Sequence, residues 1–215
     1  MTYNWSGCYI GGNLGGGFGH KDNTDQFLVP NVSLGGHDVS GVAGGGQVGC
    51  DYQTGQFVFG IRGMADGASL TGQNSLVRPA NPNFAYNTRI SSFETITARA
   101  GILAAPSVLL YVQGGGAAVQ ERHQQLVLSA VTFAESQTWT GWAVGAGVEW
   151  IFAPNWSLFG EYNYVGLGNK NSCFVARSCE NILGQAHGGI GERLNLSTAM
   201  VGMNYRFGGP VDVKY

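Results

Sequence analysis

Eight times along this chain, apolar residues alternate with small or polar ones at a period of two. That pattern constrains the fold more than any other feature, because an extended strand sends successive side chains to opposite faces. In CYIGGNLGGGF one face holds Cys8, Ile10, Leu14 and Phe18 and the other Tyr9, Asn13 and glycines. VAGGGQVGCDYQ sets Val42, Val48, Cys50 and Tyr52 against Gln47, Asp51 and Gln53, and FVFGIRGMAD sets Phe57, Phe59 and Ile61 against Arg62, Met64 and Asp66. FETITARAGI opposes Ile96, Ala98, Ala100 and Ile102 to Thr95, Thr97 and Arg99, and VLLYVQGGGA opposes Leu110 and Val112 to Tyr111 and Gln113. In GWAVGAGVEWIFAPNWSLFGEYNYVGLG, Trp142, Val144, Val148 and Trp150 oppose Glu149, then Trp156, Leu158, Tyr162 and Tyr164 oppose Glu161 and Asn163. STAMVGMNYRF closes the series, with Val201, Met203, Tyr205 and Phe207 opposite Gly202, Asn204 and Arg206.

The connections alternate as well. Thr54 to Gln56, Ala104 to Ser107 and Ala153 to Asn155 are short turns, whereas polar segments of roughly twenty residues lie near 20–41, 67–90, 119–138 and 168–193. Short turns at one end and four long loops at the other predict one all-β domain over residues 1–215: an eight-stranded antiparallel up-and-down β-barrel. Its expected strands are 4–19, 41–53, 57–66, 91–103, 108–118, 139–152, 156–167 and 195–208. Strands of about ten residues suit a tilted membrane span. The uncharged run from Ala100 to Gln120 is no transmembrane helix, since Pro106 and the glycines 114–116 interrupt it.

Period alone does not say which face points outward, because a soluble barrel has the same period with its apolar face inside. The chain has 11 Lys or Arg and 13 Asp or Glu, 11% charged, against roughly 25% in a typical soluble domain. Its polar faces are mostly glycine and alanine, a poor coat against water. Trp5, Tyr52, Trp150 and Trp156 fall next to the short turns, where an aromatic girdle would meet the lipid interface. The apolar face therefore points outward, with short turns periplasmic and long loops extracellular. Glu94 is the one charge on that face by parity, and its place is the rim. A net charge of -2 supplies no basic footprint for nucleic acid. The start MTYNWSG is not a signal peptide, so export implies a leader already removed.

An eight-stranded barrel is just wide enough to be filled by side chains, and carboxylates inside it need partners. The expected lumenal ion-pair network joins Glu149 and Glu161 to Arg62 and Arg99, with Asp51, Asp66 and Arg206 nearer the ends. A one-residue slip would turn these charges to lipid, where an arginine costs about 2 to 4 kcal/mol at the midplane. A structural network is thus preferred to a catalytic acid pair or an ion path.

Cys173 and Cys179, in a polar segment, suit a small disulfide loop and an oxidising compartment. Cys8 and Cys50 point outward near the short turns of neighbouring strands and are expected as free thiols acting as small hydrophobes. His20, His37, His123 and His187 fall in the predicted loops at spacings that match no ligand motif, so neither metal nor cofactor is expected. The glycine runs GGNLGGG and GGGQVG lack the Lys-Ser/Thr ending and following helix of a phosphate loop, and fit close packing in a narrow barrel.

NWSGCYIGGNLGGGFG, GGGQVGCDYQ, FVFGIRG, TITARAGI, LLYVQGGGAA, the Gly141–Gly168 hairpin and VGMNYRFG together resemble successive blocks of the OmpA-like outer-membrane β-barrel (porin) family, closest in type to the small alphaproteobacterial 25/31-kDa outer-membrane proteins. The resemblance covers essentially every strand and implies insertion by the barrel-assembly machinery, contact with the bilayer and lipopolysaccharide, possible self-association, and a role in envelope integrity and surface exposure. The chain departs from the family at Ala100, where a leucine is usual, at Met200, where an arginine is frequent, and at Arg62, where an acid is common. GGPVDVKY after Phe207 sets the terminal aromatic, Tyr215, beyond the last strand. Three functions compete: a structural and surface barrel, which is preferred; a narrow porin-like channel; and a loop-borne adhesin or haem receptor. No Ser, His and acid set can be assigned, so no enzyme is expected. A folded membrane barrel should run faster on an SDS gel before boiling than after; identical mobility in both states would instead indicate a soluble barrel.

Overall fold

The computed structural model describes residues 3–25, 32–75, 84–127, 130–172 and 190–207. They form β1 (Gly7–Asp25), β2 (Val32–Thr54), β3 (Phe57–Ser75), β4 (Phe84–Ala105), β5 (Val108–Val127), β6 (Ala130–Ala153), β7 (Trp156–Ser172) and β8 (Ile190–Phe207). Each strand pairs antiparallel with the next, and β1 pairs with β8, so the sheet closes on itself. Two-residue turns at 55–56, 106–107 and 154–155 join the strands at one end. Gly55 (φ 59°) and Asn155 (φ 69°) take the left-handed conformation there, which glycine and asparagine tolerate best. Asn155 also donates its side-chain amide to the Arg206 carbonyl at 2.7 Å, fastening that turn to β8.

The strands run well past their expected ends, and most of the segments expected as long loops continue the ladder. Val32 to Ser40, for example, belongs to β2 and pairs with β1. The backbones at His20, His37 and His123 accordingly lie in β1, β2 and β5 rather than in loops. His187, Cys173, Cys179 and Tyr215 lie outside the described residues. Among those residues, the β2–β3 ladder stops at Ser40↔Thr71 and the β6–β7 ladder at Trp142↔Gly166. Above these levels the wall continues as two separate sets, β7–β8–β1–β2 and β3–β4–β5–β6.

Parity places every alternating set on the expected side. Ile10, Leu14, Phe18, Val42, Phe59, Ile61, Val112, Trp142, Leu158 and Val201 are exposed on the outer wall, and Ile96 reaches 77%. So continuous an apolar outer surface has no place in water and requires lipid. Glu94 stands half-buried where the apolar run of β4 ends, accepting a hydrogen bond from Ser92 Oγ at 3.1 Å.

Above that belt the sign of the alternation reverses, and on β4 a register shift between Ile90 and Ser92 also moves the parity by one. Asp38, Ser40, Ser69, Thr71, Arg89, Gln120 and Thr138 are exposed, whereas Val39, Leu70, Ile90, Phe93, Val119, Trp139, Leu167 and Leu196 are buried inside. The reversal explains the strand lengths. Where the barrel leaves lipid for water, the outer face must become polar, and an apolar interior can then hold the wall together. Reading only the apolar-outward phase truncated each strand at this boundary.

Cys8 and Cys50 are not free. They stand directly opposite each other in the β1–β2 ladder and form a disulfide across a sequence separation of 42. Directly opposed strand residues bring their Cβ atoms within about 4.5 to 5.5 Å, so being neighbours on one face made bonding available. A proteolytic digest without reductant should yield the Cys8 and Cys50 peptides joined, and Cys8→Ala should leave a titratable thiol at Cys50. Two separate, alkylatable peptides would show the bond absent.

Candidate functional site: a filled lumen

The inward positions near the short-turn end carry charge in alternate layers, and β-barrel stagger brings them together across the interior. Arg99 of β4 is the hub. Its Nε donates to Asp51 Oδ1 at 2.8 Å, its Nη1 to Glu149 Oε2 at 2.9 Å, and its Nη2 to Asp51 Oδ2. Arg206 completes the set from β8, donating to Asp51 Oδ2 at 2.6 Å and Glu149 Oε1 at 3.2 Å. Ser157 Oγ and Asn204 Nδ2 add hydrogen bonds to Glu149 Oε1 at 2.6 and 3.0 Å. The Arg99 guanidinium lies 4.9 Å from the Tyr9 ring centroid and 5.1 Å from that of Tyr111, a cation–π arrangement on both sides.

A second set adjoins the first through Tyr111. Arg62 grips Glu161 through two hydrogen bonds of 2.6 and 2.9 Å, the fork-to-carboxylate geometry that fixes orientation as well as charge. Tyr111 Oη and Asn163 Nδ2 donate to the same carboxylate, each at 2.8 Å. Gln113 donates to Asn163 and Gln47 to Asn204, both at 2.5 Å. Gly147 makes room for this arrangement: a Cβ on it would stand 2.6 Å from Tyr111 Cζ.

One expectation stands and two are corrected. Glu149 and Glu161 do pair with the expected arginines, Arg99 and Arg62 respectively. Asp51 and Arg206 lie within the Arg99 set rather than at its margins, because tilted strands bring residues at different distances from their own turns to one level. Asp66 is buried in the lumen beside the Asn13 amide and pairs with none of the three arginines, so it does not join the network.

The aromatic girdle also divides. Tyr52, Trp150 and Trp156 are exposed on the outer face, and Trp156 packs edge-on against Tyr205 at 5.1 Å. Trp5 is fully buried instead. It donates Nε1–H to the Pro106 carbonyl at 3.2 Å, accepts from Arg206 Nη2 on its own carbonyl at 2.6 Å, and receives the Arg206 guanidinium over its ring. Counted by twos from Tyr9, position 5 falls on the inward side, and that parity was the available signal. Trp5 joins Val58, Leu109, Tyr111 and Ile151 in an apolar cluster below the charges. At the far end a larger cluster includes Val39, Leu70, Ile90, Phe93, Val119, Trp139, Leu167 and Leu196. The lumen is thus a polar layer enclosed between two apolar ones, and sequence reasoning missed both covers.

This arrangement holds charge but presents none of its paired carboxylates to an incoming reactant. Among the described residues there is also no group of three or more His, Cys, Asp or Glu side chains suited to a metal. Removing Arg99 would strand both Asp51 and Glu149 beside a single arginine, a loss in the range of about 3 to 5 kcal/mol for a broken buried pair. Arg99→Ala should therefore lower the heat and urea midpoints of the folded barrel sharply, read by gel mobility, with Arg99→Lys intermediate because it keeps the charge and loses the fork. Unchanged midpoints in Arg99→Ala would rule out a stabilising network.

The Outer membrane protein beta-barrel domain model matches residues 2–207. The 31 kDa outer-membrane immunogenic protein of Brucella melitensis is 32% identical, over 96% of this chain and 85% of the relative, and its Brucella suis counterpart matches equally. An uncharacterised Coxiella burnetii protein is 25% identical over 78% of this chain and 64% of its own length. Among solved structures, the outer membrane protein OprG of Pseudomonas aeruginosa has a TM-score of 0.51 at 11% identity, covering 96% of this chain and 99% of its own. The outer membrane protein AlkL in lipid bilayers has a TM-score of 0.51 at 10% identity, covering 100% and 95%. These two show the fold; the family model and the Brucella relatives go further, and this chain belongs to the outer-membrane protein β-barrel domain family and resides in the bacterial outer membrane.

Proposed function

We propose that this outer-membrane barrel is a closed structural element of the envelope that carries surface-exposed loops, and neither an enzyme nor an open channel. The observation that supports it most is the three-layer filling of the lumen. A solute crossing from end to end would have to displace Trp5 with its apolar neighbours, part the Arg99 and Arg62 sets, and then pass the Leu70, Phe93 and Trp139 cluster. Each of these is held by several simultaneous contacts, so no small rotation opens a continuous path. Every oxygen of Asp51, Glu149 and Glu161 is engaged in hydrogen bonds, which leaves these carboxylates no role as general acid or base. The Brucella relative's description as immunogenic fits a reading in which the far end of the barrel faces the exterior. Lipopolysaccharide and phospholipid around the belt, and the barrel-assembly machinery during insertion, are the partners this role requires.

Planar-bilayer recording separates the alternatives. The purified barrel should show no discrete single-channel steps, and Trp5→Ala combined with Leu109→Ala should not open it while the charged layer stands. Reproducible unitary conductance from the unaltered chain would establish the narrow porin-like channel instead. Absence of conductance together with a Soret change on haemin titration would move the function to a loop-borne receptor.

A further inference from the structure

Among the described residues, the charges of the polar layer do not balance. Among those residues, Arg62, Arg99 and Arg206 are buried with five carboxylates: Asp51, Asp66, Glu149 and Glu161 around the polar layer, and Glu121 higher up, which accepts from Trp139 Nε1 at 2.6 Å. Arg62 is matched by Glu161, and Arg99 with Arg206 by Asp51 and Glu149. Asp66 is the carboxylate of the polar layer that none of these three arginines pairs with. It is 3% exposed, and the donor beside its carboxylate is the neutral side-chain amide of Asn13, on the other side of Gly45, which supplies no compensating charge. Its setting makes that costly, since Phe93 stands opposite it in the ladder, and both Phe93 and the inward Met64 belong to the upper apolar cluster.

The other unsatisfied polar atoms indicate what Asp66 lacks. Among the described residues, ten buried side-chain atoms fall outside hydrogen-bond geometry; two are the nitrogens Asn13 Nδ2 and Arg62 Nε, and eight are oxygens, including Gln47 Oε1, Thr95 Oγ1 and Thr97 Oγ1 as well as the two of Asp66. Gln47 and Thr95 both oppose Met64, which places them diagonally beside Asp66 on the neighbouring strands, within reach across an inner barrel face. Gly45, directly opposite Asp66, leaves space for its carboxylate: a Cβ there would stand 2.5 Å from Oδ1. A surplus negative charge beside several donor-free or hydroxyl oxygens is the environment of a hard cation, which takes carboxylate, carbonyl, hydroxyl and water oxygens together. One uncompensated charge matches a monovalent ion.

We propose that Asp66, with Gln47 and Thr95, holds a sodium-class monovalent cation inside the barrel, captured as the sheet closes. The inference rests on the sealed lumen argued above, because both apolar covers would keep such an ion from exchanging freely. Its binding favours the closed barrel by mass action, since the unfolded chain has no such site.

The full chain would be refolded into detergent at pH 8 in sodium chloride or N-methyl-D-glucamine chloride at equal ionic strength, then passed into sodium-free buffer. Elemental analysis should find sodium equimolar with the sodium-refolded chain and none above background in Asp66→Asn. The heat midpoint of the parent should rise in sodium by several degrees over N-methyl-D-glucamine, and that difference should vanish in Asp66→Asn. Thr95→Val, which keeps the charge, should weaken the sodium effect without abolishing it. Equal midpoints in both salts without retained sodium would overturn the proposal, as would a sodium effect unchanged in Asp66→Asn. Conductance recorded on the same preparation distinguishes the two ideas: a silent barrel without sodium refutes the ion site alone, and a conducting barrel refutes the sealed lumen.

Discussion

The two-sided hold of Arg99 on Asp51 and Glu149 organises the lower half of this barrel. An eight-stranded sheet closed in a bilayer satisfies every backbone group in its walls, but closure leaves an interior that must be filled. Small side chains alone would leave voids, and large apolar ones on every inward position would erase the difference between the faces. Arginine solves both problems. Its long side chain spans much of the lumen, and its fork accepts only a limited set of partner positions. Arg99 contacts β2 and β6, Arg206 contacts the same two carboxylates from β8, and Arg62 reaches β7. The register of strands distant in sequence is thereby tied together from within. Buried ion pairs need not add much net stability; their effect here is to make any shifted register cost charges exposed to lipid.

The second constraint is the change of solvent along the barrel. Within the belt the outer wall is apolar and the inside polar; above it Asp38, Ser40, Ser69 and Thr71 face outward while Val39, Leu70, Phe93 and Trp139 fill the interior. The same strands therefore run through two hydrophobic arrangements, β4 through a bulge that lets both Phe93 and Ile90 point inward. In lipid the apolar contacts are supplied by the membrane, and in water they must be supplied by the core. The upper cluster is placed where lipid stops helping. Trp139 illustrates the join, with its ring among the apolar side chains and its Nε1–H donated to Glu121 Oε2 at 2.6 Å.

Parity was the legible part of this sequence. It put Glu149, Glu161, Arg62, Arg99, Asp51, Asp66 and Arg206 inside and Tyr52, Trp150 and Trp156 outside, because a period of two is a property of the local chain. Strand ends were not legible from apolar-outward alternation alone, since that pattern ends at the water boundary and the ladder does not. Trp5 was misplaced by grouping tryptophans according to their distance from the turns instead of counting inward positions from Tyr9. The pairing of individual charges depends on stagger around the closed sheet, a non-local quantity that no single strand encodes. The Cys8–Cys50 bond depends on register in the same way: adjacency could be suspected from two outward cysteines near neighbouring turns, but only direct opposition in the β1–β2 ladder makes the link.

The position of Arg62 shows how much one residue can redirect such an interior. In this chain its fork occupies both oxygens of Glu161 and brings Tyr111 and Asn163 into the same set. An acid at that position would remove the one guanidinium facing Glu161 and add a carboxylate beside it, so the lumen would need cations from elsewhere. The identity of the inward residues is therefore a joint property of opposite walls, not a list of independent strand preferences. It also explains how the outer end can differ without disturbing the scaffold: the contacts that hold the register lie below the upper apolar cluster, and those that close the far end of the lumen lie within it.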